Sequence, residues 1–65
     1  MTNSAVLIEA LVNYETRHQA KGRGYWWHEE RRAWCKQIHR ADLVAEAKRV
    51  PFGIVDTSTG EILYA

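Results

Sequence analysis

The stretch KGRGYWWHEERRAWCKQIHR, Lys21–Arg40, decides the fold. It holds all three tryptophans, the single cysteine and two of the three histidines. Advancing about 100° per residue, Trp27, Trp34, Ile38, Ala41 and Ala45 line up on one stripe. Glu29 and Glu30 would then occupy a first turn, where the helix dipole favours acids. The spacing predicts a helix from about Trp26 to Arg40. Past Asp42 the stripe changes, because Leu43, Val44, Ala47 and Val50 define a new face. A kink, or a fresh short helix capped by Asp42, is expected there. Pro51 closes it, since the residue before proline prefers extended geometry.

Upstream, Asn3 or Ser4 can cap a helix starting at Ala5. Leu7, Leu11, Tyr14 and His18 follow at spacings of 4, 3 and 4, on a face broadened by Ile8 and Val12. The glycines of KGRG then stop it near Lys21. Downstream, FGIVDTSTGEILYA has two β-rich runs around TSTG. Gly60 suits the left-handed position after a type I turn, giving a hairpin with a bulge. Phe52, Ile54, Ile62 and Tyr64 would share its packed face. The expected fold class is therefore α+β and mostly helical, as one small domain over residues 1–65. It comprises a helix over about 4–20, a helix over about 26–40, a short helix over about 42–49 and a hairpin over about 52–64.

Size and composition limit the function. With 65 residues the chain buries a modest core, and its lone Cys35 can form no internal disulfide. Self-association, through the broad apolar arc of the first helix or the hairpin edges, would help a domain this small. A homodimer is one expected partner state. No apolar run approaches the ~20 residues of a membrane-spanning helix, and the N-terminus lacks the basic region of a secretory signal. A cytoplasmic location without membrane contact is expected. The formal charge of +1 is unevenly spread. Arg17, Lys21, Arg23, Arg31, Arg32, Lys36 and Arg40 face only Glu29 and Glu30 between residues 17 and 40, a local basic field.

Catalytic signatures are missing. No phosphate-binding GxxxxGK[ST] frame, GxSxG elbow or HExxH pair occurs in the sequence. Glu29 and Glu30 are adjacent and would point to different helix faces, poor geometry for acid–base work. His28, Cys35 and His39 share a narrow stripe on a continuous helix, yet His28 would lie ~10 Å along the axis from Cys35. No metal, cofactor or catalytic residue is assigned, and Cys35 reads as a buried thiol. The chain is expected not to be an enzyme.

Two binding readings remain. Trp, Tyr and Arg are enriched at protein-binding hot spots. Trp26 lies ~100° around the helix from Trp27, so one core cannot bury both. Arg23, Tyr25, Trp26, Arg31, Arg32, Lys36 and Arg40 are thus the candidate partner-binding residues. They suit a protein partner with an acidic surface. A short non-enzymatic chain of this kind fits a regulator or inhibitor, the type carried by phages and mobile elements. The alternative is a nucleic-acid-binding regulator using the same Arg, Lys and Trp residues. The predicted order of elements loosely resembles a winged helix. However, DLVAEAKRV, where the recognition helix would fall, has few groups to read base edges.

Overall fold

A computed structural model describes residues 5–63 of the chain. It is built on a five-stranded antiparallel sheet, ordered β2-β3-β1-β4-β5. The strands are β1 (Ala5–Ala10), β2 (Trp26–His28), β3 (Ala33–His39), β4 (Ile54–Asp56) and β5 (Glu61–Leu63). A short helix, α1 (Arg17–Lys21), lies between β1 and β2. A single 3₁₀ turn (Arg40–Asp42) runs directly into α2 (Leu43–Arg49), making the one substantial helical segment. The expectation of a mostly helical chain with two main helices is therefore overturned.

The first expected helix is replaced by the central strand. Val6, Ile8 and Ala10 alternate as buried residues, while Leu7 and Glu9 between them are only half-buried. β1 pairs with β3 on one side and β4 on the other, so its backbone groups are satisfied across both edges. Leu11 and Tyr14, central to the supposed helical stripe, are exposed. Tertiary pairing has overridden a helical periodicity. The proposed caps at Asn3 and Ser4 lie outside the described residues.

The second expected helix is a hairpin. Trp26 pairs with Cys35, Trp27 with Trp34, and His28 with Ala33. Seven residues make nearly two helical turns, so Trp27 and Trp34 align on a helix. The same residues also face one another across a turn, with ring centroids 5.8 Å apart. Trp34 and Ile38 share a face under either geometry, because an even spacing satisfies a strand and four residues satisfy a helix. Gly24, at φ 89°, turns the chain into β2 through a conformation that glycine adopts without steric cost.

The C-terminal part lies closer to expectation. α2 ends at Arg49, and Val50 before Pro51 is extended. Asp42 stands at the cap position, but its side chain makes no capping bond. β4 and β5 form the hairpin, with Gly60 at φ 80° and its N–H donating to the Asp56 carbonyl at 2.7 Å. The register differs from the expected one. Ile54 pairs with Leu63 and Val55 with Ile62, so Ile62 points away from Ile54. The extra residue of the bulge shifts the pairing by one, which moves every side chain of β5 to the other face. Tyr64, also assigned to that face, lies outside the described residues.

Register divides the side chains between two sheet faces. On the inner face Val6, Ile8, Ala10 and Ile54 pack with Ala20, Tyr25, Ala47, Val50 and Phe52 from the helices and loops. Trp34, Ile38, Leu43 and Leu63 close around this core. The outer face carries Leu7, Glu9, Trp26, His28, Cys35, Val55 and Ile62. Among these, only Cys35 is fully buried.

Candidate functional site

The seven residues singled out from the sequence do not form one patch. Tyr25 belongs to the core and is 3% exposed, so its assignment to a binding surface is corrected. Its ring meets Phe52 edge-on at 5.4 Å, and its hydroxyl donates to Glu46 Oε2 at 2.9 Å. Burial, followed by the Glu46 hydrogen bond and charge, holds the phenol well above its usual pKa. Lys36 belongs to the same buried network. Its ammonium donates to Glu46 Oε2 at 3.4 Å and to the Arg23 carbonyl at 3.2 Å, above the Tyr25 ring. Its assignment to an outward basic surface is likewise corrected, because β3 turns this side chain toward α2 rather than away from it.

Arg40 reaches across to Asp56 at 3.2 Å and to the Ser58 hydroxyl at 3.2 Å. The Asp56 carboxyl also accepts from the Ser58 hydroxyl and backbone N–H. The Ser58 hydroxyl contributes most to lowering its pKa; burial opposes this, and the Ser58 N–H and Arg40 add to it. Asp56 thus stays ionised and ties the 3₁₀ turn to the hairpin. Arg31 pairs with Glu9 at 3.4 Å. Three of the candidate cations are therefore engaged with carboxylates of their own chain. Arg23 is exposed and contributes its carbonyl, not its guanidinium, to the Lys36 contact.

What the hairpin does bring to the surface is a pair of tryptophans facing opposite ways. Trp26, 46% exposed, lies on the outer face and stacks on His28 with centroids 5.3 Å apart. Trp27, 47% exposed, lies on the inner face beyond the edge of the core. The sequence places Trp27 in the core, and here the structure disagrees. β2 is a three-residue edge strand, and Trp27 is not among the residues of the core or those packed against it.

Cys35 lies between its cross-strand partners Trp26 and Glu9. It is 0% exposed, and burial together with the Glu9 charge pushes its thiol pKa up, against a smaller effect of Arg31. Such a thiol is a poor nucleophile. His28, Cys35 and His39 still share a face, the outer face of the sheet, but strand geometry spreads them along it. On β3, Cys35 and His39 are separated by four strand residues, ~13 Å. No cluster of metal-ligating side chains occurs among the described residues.

Beside Trp27 the end of the sheet opens into a cleft of about 330 Å³. Its walls are Leu11–Tyr14 and Arg17 on one side, and Trp27, Arg32 and Trp34 on the other. The Leu11–Arg17 connection is held by reciprocal bonds. Thr16 N–H donates to Asn13 Oδ1 at 2.9 Å, and Asn13 N–H donates to Thr16 Oγ1 at 3.0 Å. The Arg17 guanidinium lies 3.7 Å over the Tyr14 ring and donates to the Tyr14 carbonyl. Of the cleft residues, only Arg32 was among the sequence candidates. Tyr14 and Arg17 were missed, although their three-residue spacing and the Asn13-x-x-Thr16 pattern were visible signals.

No curated protein matches the chain. No solved structure matches it either. One family model does, over residues 6–56, spanning β1 through β4. The chain belongs to the family described as Domain of unknown function (DUF8626).

Proposed function

We propose that the protein is a non-enzymatic interaction module that binds a partner protein through the outer face of its sheet, with Trp26 as the anchor. One observation carries this reading. The solvated face of an antiparallel sheet is ordinarily polar, whereas this one, beside Glu9 and His28, presents Trp26 on one edge strand, Ile62 on the other, and Leu7 and Val55 between them. Of these, Trp26 and Ile62 are about half exposed. The packed core of the helices lies wholly on the other side. A large exposed aromatic ring such as Trp26, at the β2 edge of this face, is of the residue type most enriched at binding hot spots. Arg31 pairs with Glu9 on this face, so an acidic group on the partner would compete with Glu9 for its guanidinium. The nucleic-acid reading draws less support, because Arg31, Lys36 and Arg40 are each already paired with a carboxylate.

The test is capture of a stoichiometric partner from the native host, followed by titration of the purified pair. Trp26→Ala is expected to weaken the complex by about 2 kcal/mol or more, near thirtyfold. Thermal stability should change little, because half of this ring is already in water. A partner that binds Trp26→Ala and wild type equally would sink the proposal.

A further inference from the structure

The cleft on the opposite face of β2 plays no part in that reading. We infer that the cleft bounded by Tyr14, Arg17, Trp27, Arg32 and Trp34 is a binding site for a nucleoside phosphate, the base stacking on Trp27 and the phosphate held by Arg17 and Arg32.

Three features lead to this ligand class. The walls are aromatic where the ligand would lie flat. Trp27 keeps nearly half its surface open and meets Trp34 in a T-shaped contact rather than a parallel stack. Planar heteroaromatic bases stack on such rings without needing a particular hydrogen-bond pattern.

The cleft's two cations have no carboxylate partner among the described residues, in contrast to Arg31, Lys36, Arg40 and Arg49, and Arg17 is engaged only with the ring and carbonyl of Tyr14. Glu9 borders the cleft, but its carboxylate is drawn to Arg31. Glu29 accepts from the Trp27 indole N–H at 3.2 Å and lies outside the cleft lining. Two guanidinium groups match a dianionic phosphate better than a single carboxylate, and each can form paired N–H···O bonds. The volume, about 330 Å³, is at the small end of ligand sites and has room for one nucleotide rather than a chain.

Finally, the cleft is preorganised. The Asn13–Thr16 bonds fix one wall, and stacking on Tyr14 already orients Arg17. Arg32 sits at φ 53° in the hairpin turn, a left-handed conformation that glycine would adopt at lower cost. A long cation is therefore held where the turn alone would favour glycine, and its side chain lines the cleft.

The experiment is a tryptophan-fluorescence titration of the intact protein with AMP, GMP, CMP and UMP, and with an eight-residue oligouridylate. A short polyglutamate peptide serves as the acidic control. At least one mononucleotide or the oligonucleotide is expected to give saturable quenching, with Kd in the range of ~0.1–1 mM. Quenching by mononucleotides identifies a free nucleotide as the source, and quenching by the oligonucleotide alone identifies a strand terminus. Arg32→Gly relaxes the strained turn and so should keep or raise the melting temperature, while weakening binding about tenfold. Trp27→Leu should weaken it similarly. No saturable quenching by any nucleotide up to ~5 mM would overturn the inference. So would undiminished binding by Arg32→Gly, or a response to polyglutamate alone. Because Trp26 faces the other way, these results do not depend on the protein-binding reading.

Discussion

Glu46→Ala is expected to remove about 3 kcal/mol of stability. Glu46 is 2% exposed yet ionisable, and three groups converge on its carboxylate. Tyr25 donates at 2.9 Å, Lys36 at 3.4 Å and Arg49 at 3.0 Å. Truncation strands the Tyr25 hydroxyl inside the core and leaves the Lys36 ammonium without its counter-charge. Unpaired buried polar groups carry the full desolvation cost, which is larger than the net gain from making the bond. Lys36 retains some contact with water and the Arg23 carbonyl, which keeps the loss below the upper end for buried pairs. A domain of this size has a total stability of order 5 kcal/mol, so the variant should be substantially unfolded in mild urea. Arg49→Ala should stay within about 0.5 kcal/mol, because that guanidinium is mostly exposed. Urea denaturation followed by tryptophan fluorescence measures both. Equal effects of the two substitutions would show that the carboxylate is not buried as described.

The second large effect is expected at Ile8. This side chain is 0% exposed on the central strand, so Ile8→Ala should cost about 3 kcal/mol through lost burial and a residual cavity. Leu7→Ala, one residue earlier on the outer face, should cost about 1 kcal/mol or less. The ratio is diagnostic because a strand sends neighbours to opposite faces. A helix over residues 4–20 places Leu7 on the buried stripe with Ile8 at its margin, and reverses the order. Chemical denaturation of the two variants separates these outcomes.

Some of the fold was legible in the sequence, and the reasons for success and failure are physical. Pro51 and Gly60 constrain the backbone locally, and both act where local chemistry alone places them. The Lys21–Arg40 stretch was ambiguous for a different reason. Spacings of four and seven satisfy a helix, while four also satisfies a strand, and seven happens to match the Trp27–Trp34 pairing across a turn. Only the long-range pairing of β3 with β1 resolves this, and no local pattern encodes it. β1 was missed because Leu7, Leu11 and Tyr14 offered helical spacing, although Val6 and Ile8 alternate correctly for a strand. The site followed the fold. Trp26 was chosen as an outward ring and is half exposed, but Tyr25 and Lys36 are turned inward by strand geometry. Arg17 and Tyr14 entered the cleft only because β1 ends early, at Ala10, and the chain folds back beside Trp27.

Both functional readings depend on β2 and β3 forming an antiparallel pair that sends Trp26 and Trp27 to opposite faces. Backbone nuclear Overhauser contacts in an isotopically labelled sample test this directly. Cross-strand proton contacts are expected within the pairs Trp26–Cys35, Trp27–Trp34 and His28–Ala33. An unbroken run of sequential amide–amide contacts from Trp26 to His39 would mean a helix there, and would contradict the account.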